Sequence, residues 1–179
     1  MEIHVYHVGR VLKKRRLNDV VPEDVSKRTQ EITTKNFDIN LDVNKYDCLF
    51  VGRDGSGQII AVVFAYVYQT HITLSALSTT KQGTGIGSRF LPLVELAAAK
   101  TFPWITGFKL TACDEVNKTD PVVSLRITVT TDDHVAIIIR ATAMVRFEQR
   151  LRFYVRLGYT LEEETAGYAR FYKSTRQQN

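Results

Sequence analysis

The stretch TTKQGTGIGSRFL, residues 79–91, places glycines at three alternate positions, Gly83, Gly85 and Gly87. A β-rich apolar stretch precedes it, and an apolar pattern with helical period follows it. Because glycine loses more conformational entropy on folding than any other residue, three glycines at one junction need a reason. Unpaired N–H groups at a helix start carry the positive end of the helix dipole and can approach a phosphate where no side chain obstructs them. The stretch therefore predicts an anion-binding loop between a strand and a helix.

The glycine spacing differs from two familiar phosphate-binding motifs. A P-loop requires a Lys-Ser or Lys-Thr pair after its last glycine, and no such pair follows Gly87. A dinucleotide fingerprint requires G-x-G-x-x-G after the first strand of a parallel unit, whereas G-x-G-x-G here follows an antiparallel meander. The spacing therefore argues against both motifs.

The residues before the loop predict a strand, a helix and a three-stranded meander. Ile3 and Val5 indicate a first strand, and residues 20–37 indicate a helix with Pro22 in its first turn. The runs YDCLFVGR and QIIAVVFAYVY flank the turn signal DGSG, and THITLSALSTT follows almost at once. We therefore expect three antiparallel strands to lead into the glycine loop.

The residues after the loop alternate between helical and strand patterns. Residues 86–100 predict a helix in which Pro92 is a local defect, and residues 105–113 predict a strand. Residues 115–141 predict an extra strand pair around the turn at Asp132 and Asp133.

The chain ends, on the sequence pattern, with a late helix and a hairpin. Residues 142–158 predict the helix, with Gly158 as its C-terminal cap and residues 159–174 as the hairpin. One face of this helix carries Phe147, Leu151, Tyr154 and Val155, whereas Arg146, Arg150 and Arg152 lie largely off that face. Antiparallel strands with a few helices indicate an α+β domain.

Composition and cysteine usage predict one cytoplasmic globular domain over residues 1–179. Of the 179 residues, 44% are hydrophobic and 24% charged, which is ordinary for a globular protein. The apolar runs are far short of a membrane span, and the basic cluster near the N-terminus follows the apolar part, the reverse of a signal peptide. Cys48 and Cys113 lack metal-ligand spacing and indicate two reduced thiols rather than a disulfide.

The net charge of +5 permits binding to a polyanion, either a nucleic acid or a phosphorylated cofactor. The densest basic run, Lys13 to Arg16, indicates a solvated loop or, as a minority interpretation, nuclear targeting or nucleic-acid contact. No motif of interleaved aromatic and basic residues adds weight to nucleic-acid binding. Charge alone does not choose between these partners.

Gln82 to Gly87, QGTGIG, resembles the Q/R-x-x-G-x-G/A motif of the GCN5-related N-acetyltransferases, or GNATs, which bind acetyl-coenzyme A. A second match is RFYVRLGY, residues 152–159, which is similar to the late helix of that family with its tyrosine and terminal LG-F/Y. The predicted order of elements also fits. The resemblance covers Met1 to Lys173 and is weakest over residues 114–142.

The resemblance implies a GNAT-like acyl-CoA N-acyltransferase fold, with a central, mostly antiparallel mixed sheet flanked by helices. It implies acetyl-CoA as cosubstrate and transfer of the acetyl group to a primary amine by direct attack in a ternary complex. The implied cofactor contacts come from the backbone of the strand before the loop and from the loop itself. They are Leu77, Ser78, Gln82, Gly83, Thr84, Gly85, Ile86, Gly87 and Ser88.

The resemblance also implies a proton donor for the leaving thiolate, and the matching residue is Tyr154, with Phe153 as the competing assignment. The general base stays open, because residues 70–80 contain no acidic residue, although some family members carry a glutamate there. A water chain could serve instead of a residue. The other candidates are His71, Asp114, Glu115, Asp132, Asp133 and His134.

Two alternatives to acetyl transfer remain open from the sequence: a GNAT-like protein that binds CoA or acyl-CoA without catalysis, and an enzyme for longer acyl chains. Acceptor pockets in this family come from variable parts, here the first helix, residues 114–142 and the last hairpin. Residues 114–142 could instead pair with another subunit in a homodimer. Glu162, Glu163 and Glu164 either attract a cationic amine or form a solvated turn.

Overall fold

The computed structural model describes residues 1–8, 21–37, 43–113, 147–165 and 168–175. The described helices are α1, Glu23–Phe37; α2, Ile86–Thr101; and α3, residues 147–156; a short 3-10 helix spans Val43–Lys45. The strands are β1, Glu2–His7; β2, Cys48–Arg53; β3, Ile59–Val67; β4, His71–Thr79; β5, Gly107–Cys113; β6, Thr160–Thr165; and β7, Tyr168–Ser174. Strands β1 to β4 are neighbours in sequence order, and β6 pairs with β7, so antiparallel strands combined with helices confirm the α+β class.

The chain divides into two compact units, Met1–Lys109 with Ser174–Asn179, and Leu110–Lys173. The assignment of residues 1–179 to one domain stays a prediction. The extra strand pair predicted at 115–141 lies outside the described residues, as does the basic run Lys13 to Arg16. Within the described ranges, no helix is long and apolar enough to cross a membrane.

The first unit is built on the predicted meander, since β1, β2, β3 and β4 pair consecutively and antiparallel. The DGSG turn closes as expected between β2 and β3. Asp54 Oδ1 accepts hydrogen bonds from the hydroxyl of Ser56 and from the backbone N–H groups of Ser56 and Gln58. These bonds, led by the Ser56 hydroxyl, lower the pKa of Asp54. The turn is thus stabilised by hydrogen bonds between residues that are close in the chain.

Helix α1 covers one face of this meander. Val25 and Ile32 of the helix are buried with Leu49, Val62 and Phe64 of β2 and β3 in one hydrophobic cluster. Full burial of such a side chain contributes about 1.5–3 kcal/mol. The packing of an amphipathic face, more than helix propensity, therefore holds α1 in place.

Helix α2 packs on the opposite face. Val51 belongs to the α1 cluster, so its neighbour Gly52 points to the other side of the sheet, where it meets the ring of Phe90 of α2. The helix continues through Pro92, as the sequence predicts. Proline lacks the N–H that would bond the carbonyl four residues earlier, so the ladder loses one bond at Ser88.

The second unit contains α3 and the β6–β7 hairpin, which confirm the predicted helix over residues 147–156 and the predicted pair of strands, whereas residues 142–146 lie outside the described residues. Gly158 ends the helix with φ of 82°. The Gly158 N–H donates to the Val155 carbonyl at 3.0 Å, and the Tyr159 N–H donates to the Tyr154 carbonyl at 3.1 Å. This bond pair is the Schellman motif, for which glycine is the favoured residue.

The predicted inward face of α3 is partly wrong. Val155 is 55% exposed, whereas Arg150, predicted to lie off the face, is half-buried. Positions 147, 150, 151 and 154 follow the i, i+3, i+4, i+7 stripe of one helix face, and Val155 lies about 100° beyond Tyr154. The helix thus turns Tyr154, rather than Val155, toward Phe171 of β7.

Candidate functional site

The glycine loop contains two residues in the left-handed conformation, Gly83 and Gly85, each with φ of 73°. A β-carbon at either position would meet no atom within 4 Å, so crowding does not explain the glycines. An L-residue with a side chain pays about 1–2 kcal/mol in this conformation, and glycine does not. Gly87 differs, because it is the second residue of α2 and is helical. Backbone conformation thus requires two of the three glycines.

The N-terminus of α2 follows this loop without a side-chain cap. Gly85 is the N-cap residue, and no side chain hydrogen-bonds there among the residues that the structure describes. The Arg89 N–H donates to the Gly85 carbonyl and begins the helical ladder. The N–H groups before Arg89 have no partner inside the helix, and they carry the positive end of its dipole. Because residues 81–85 are exposed, these donors suit a phosphate group from solvent.

Two threonine hydroxyls form hydrogen bonds inside the loop. Thr84 Oγ1 donates to the Lys81 carbonyl at 2.9 Å, and Thr79 Oγ1 donates to the same carbonyl at 3.2 Å. The Thr80 N–H donates to the Ile60 carbonyl of β3. The Thr84 hydroxyl is thus engaged by the loop itself, so any contact of Thr84 with a phosphate would come from its N–H.

Asn36 connects α1 to this loop and was missed by the sequence analysis. Its Nδ2 donates to the Thr79 carbonyl at 2.8 Å, and its Oδ1 accepts from Gln82 Nε2 at 3.2 Å. The partners lie 43 and 46 residues away in the chain. No local pattern indicates such a bridge, although a polar residue that extends the buried stripe of α1 is a weak signal.

Strand β4 has a β-bulge at Ser75, which the sequence analysis also missed. Leu74 pairs with Ala65 and Ala76 pairs with Phe64, so Ser75 has no opposite residue on β3. A bulge adds one residue to one strand and reverses the alternation of side chains after it. The sequence gives no clear signal for it, because apolar residues stand at 72, 74 and 76 as well as at 77. Bulges are common beside active sites.

The bulge decides where the side chains of Leu77 and Ser78 point. Ser78 pairs with Val62, which belongs to the α1 cluster, so the Ser78 side chain lies on the α1 face and is 1% exposed. Leu77 faces the other side of the sheet. Ser78 can therefore contact a ligand in solvent only through its backbone, which is the kind of contact that the resemblance implies.

Tyr154 is half-buried and held from three sides. Its ring lies 5.0 Å from that of Phe153, 6.1 Å from that of Tyr159 and 5.4 Å from that of Phe171. The Schellman motif holds its backbone, because the Tyr154 carbonyl is the acceptor for Tyr159. Phe153, the competing assignment, has no proton to donate. The role of Tyr154 stays a prediction.

Among the base candidates, His71 lies in the described part of the chain. His71 is half-buried, stacks on Tyr68 at 4.8 Å between ring centroids and hydrogen-bonds the Thr70 hydroxyl. The acidic candidates between 114 and 133, and His134, lie outside the described residues. In the described part of the chain, no group of three or more His, Cys, Asp or Glu residues could hold a metal ion.

The three consecutive glutamates lie in strand β6 rather than in a turn, and all are exposed. Glu163 forms an ion pair with Arg170 at 3.2 Å. The prediction of a solvated turn was therefore wrong in its geometry, because Glu163 and Glu164 pair with Arg170 and Ala169 of β7, although the exposure of all three glutamates to solvent is as expected.

Cys48 is a free thiol and is fully buried. Burial, with a smaller contribution from the charge of Asp47, raises the pKa of the Cys48 thiol to about 12. Because the thiolate is the nucleophilic form, a thiol with this pKa is inert near neutral pH. Cys48 is thus a core residue.

No family model matches the chain, and no curated protein matches it at a significant level. Solved structures do resemble it. An aminoglycoside 6'-N-acetyltransferase from Enterococcus faecium superposes with a TM-score of 0.60 over 97% of each chain, at 12% identity. An acyl-CoA N-acyltransferase from Pseudomonas aeruginosa gives a TM-score of 0.58 over 97% of this chain and 99% of that chain, at 9% identity.

The chain has the GNAT fold. A further neighbour, an aminoglycoside 6'-N-acetyltransferase complexed with coenzyme A, has a TM-score of 0.56 over 97% of each chain, at 13% identity. The fold predicted from the resemblance is therefore confirmed. Because a GNAT fold hosts many acceptors, the site residues, the cosubstrate and the acceptor have to be argued from the chain itself.

Proposed function

We propose that this protein is an acetyl-CoA-dependent N-acetyltransferase that transfers the acetyl group to a primary amine of a small molecule or protein. The observation that carries the proposal is the N-terminus of α2, which lacks a side-chain cap and follows two left-handed glycines in an exposed loop. In the GNAT fold this loop comes directly after β4, where the resemblance implies the pyrophosphate contacts.

The loop from Gln82 to Ser88 would hold the pyrophosphate with backbone N–H groups. The helix dipole adds a favourable interaction with negative charge at this end. Lys81 and Arg89 flank the loop and are both exposed, so they would add attraction for a polyphosphate. The backbone of Leu77 and Ser78 would contact the thioester arm, in keeping with the buried side chain of Ser78.

The proposed reaction is a direct attack of the neutral amine on the thioester carbonyl carbon. A C–N bond forms, the C–S bond breaks, and the thiolate leaves with a proton that Tyr154 donates. The nitrogen loses its own proton to solvent through a water chain or to one of the candidate bases. Holding the two reactants in the right geometry would supply much of the rate. The role of Tyr154 rests on the resemblance of residues 152–159.

Calorimetry with CoA and turnover with amines test the proposal in two steps. We expect CoA to bind and acetyl-CoA to release free thiol when a suitable amine is added from a panel of aminoglycosides, polyamines, amino acids and peptide N-termini. A thiol reagent detects the released CoA, and the buried Cys48 should not react with it. Absence of CoA binding would refute the proposed cofactor site.

One observation favours a second candidate, a CoA-binding protein without catalysis. Strand β4, HITLSALST, contains no carboxylate that could act as a base. Under this alternative CoA binds, and no amine increases thiol release above the rate with acetyl-CoA alone. A panel of acyl-CoA esters in the same assay separates acetyl transfer from transfer of longer chains.

A cytoplasmic location belongs to the same proposal. A free, buried Cys48 is the usual state of a thiol in a reducing compartment. Cell fractionation with an antibody against the chain would test the location directly.

A further inference from the structure

We propose that Asn36 is a positioning residue that sets the conformation of the cofactor loop through Gln82. Asn36 is half-buried and is the last but one residue of α1. Its side-chain amide joins the end of β4, at Thr79, to the loop, at Gln82. The effect on CoA binding rests on the proposed function, whereas the effect on the loop itself does not.

The orientation of both amides follows from one group. The Thr79 carbonyl can only accept a hydrogen bond, so the Asn36 amide must turn its Nδ2 toward it, at 2.8 Å. Oδ1 then points the other way and requires a donor, which the Nε2 of Gln82 supplies at 3.2 Å. The Gln82 amide is thereby oriented as well. The Thr79 carbonyl thus determines which way the side-chain amides of both Asn36 and Gln82 are oriented.

This bridge connects the loop to the rest of the unit. The other hydrogen bonds of residues 81–85 in the described structure stay close in the chain: Thr84 and Thr79 to Lys81, and Arg89 to Gly85. The hydrogen bond from Gln82 to Asn36 instead connects the loop to α1, which is distant in the chain. Because α1 is anchored in the core by Val25 and Ile32, it provides a fixed support for a loop that is otherwise exposed.

A positioned loop matters for phosphate binding. Backbone N–H groups bind an anion well only when they converge, and two left-handed glycines leave the chain many alternative conformations. A hydrogen bond that removes some of these conformations lowers the entropy lost on binding. Asn36 would therefore act on the affinity for CoA without touching CoA.

The test is a double-mutant cycle of Asn36→Ala and Gln82→Ala, with CoA affinity measured by calorimetry. The net value of one neutral hydrogen bond predicts that each single variant binds CoA about 2- to 10-fold more weakly. The double variant should be no weaker than the weaker single variant, because both substitutions break the same bridge. Asn36→Asp should be the most damaging single variant, since a carboxylate cannot donate to the Thr79 carbonyl and brings negative charge to the loop.

Gln69→Ala is a matched control. It removes the same kind of side-chain amide from an exposed position in the turn at the other end of β4. CoA affinity should stay at the parent value in this variant. If Asn36→Ala does not fold, Gln82→Ala breaks the bridge from the exposed loop.

Two further measurements separate positioning from general support of the fold. NMR order parameters of the amides of residues 82–85 in the unliganded protein should fall in both single variants and not in Gln69→Ala. In turnover, KM for acetyl-CoA should rise while KM for the amine stays constant. A purely structural role would lower the melting temperature and weaken both substrates together.

The outcomes are distinguishable from those of the proposed function. If the parent binds no CoA, the proposed function fails, and the order parameters alone decide on Asn36. A different result refutes the positioning role of Asn36. In that case the parent binds CoA, the order parameters of residues 82–85 do not change in the variants, and the losses of CoA affinity add up in the double variant.

Discussion

The ring of Phe90 lies 2.8 Å from the position that a β-carbon on Gly52 would occupy. Phe90 is fully buried in α2, and Gly52 lies in β2 on the face that this helix covers. The missing side chain of Gly52 thus lets α2 approach the sheet. Since the glycine loop runs directly into α2, this contact also helps to set the height of the helix N-terminus above the sheet.

Gly52→Ala should therefore destabilise the protein by about 1–3 kcal/mol, the usual cost of overpacking a core. A buried aromatic ring cannot swing away, so α2 or the backbone of β2 must shift. Denaturant unfolding of the variant measures the loss. Gly55→Ala is the control, because a β-carbon at this exposed turn position meets nothing within 4 Å and should leave stability nearly unchanged. Equal stability of both variants would show that the Phe90 contact adapts freely.

Gly85→Asp should abolish CoA binding, because its carboxylate would lie at the N-terminus of α2, where the pyrophosphate is proposed to bind. Gly57→Asp is a closely matched control: Gly57 has φ of 81° and open space around it, but lies in the β2–β3 turn. Both variants should lose about 1–2 kcal/mol of stability from the left-handed backbone. Calorimetry with CoA should show a loss of binding in Gly85→Asp alone, and comparable affinity in the two folded variants would contradict the loop assignment.

Tyr154→Phe keeps the ring contacts with Phe153, Tyr159 and Phe171 and removes only the phenol proton. General acid catalysis typically contributes about 10²–10⁴-fold, so kcat should fall at least about tenfold even with partial rescue by water. Affinity for acetyl-CoA should not change. Tyr68→Phe, at an exposed phenol in the β3–β4 turn, should retain the parent kcat. A parent-like kcat in Tyr154→Phe would leave Tyr154 as a packing residue and assign the proton to solvent.

The Cys48 thiol should make the fold sensitive to high pH. Its pKa is about 12 in the fold against an ordinary value of 9.0, so the unfolded chain releases this proton first. The contribution of Cys48 to stability is therefore complete below pH 9 and is lost as the pH rises toward 12, by about 1.4 kcal/mol per pH unit.

Unfolding free energies at pH 8, 9.5 and 11 of the parent and Cys48→Ala measure this effect. The two proteins share every other ionisable group, so the informative quantity is the difference between the two slopes of unfolding free energy against pH. The parent should lose stability more steeply above pH 9. Parallel curves would mean that the thiol ionises in the fold as easily as in the unfolded chain.

Several features of this protein could be predicted from the sequence because their causes are local. The spacing of Val25 and Ile32 fixes one face of α1, Asp54 closes a turn with residues two and four positions away, and Gly158 ends α3 through bonds within one turn. The glycine loop is also of this kind. Its left-handed residues are required by a junction that lies wholly within residues 79–91.

Other features were decided only by tertiary structure, because their partners are distant in the chain and the choice among them depends on packing. The bulge at Ser75 appears when β4 pairs with β3, and it turns Ser78 under α1. The amide of Asn36 finds Thr79 and Gln82 only after α1 docks on the sheet. Val155 and Arg150 exchange their expected exposures because the neighbours of α3, not its hydrophobic pattern alone, select the face that is buried.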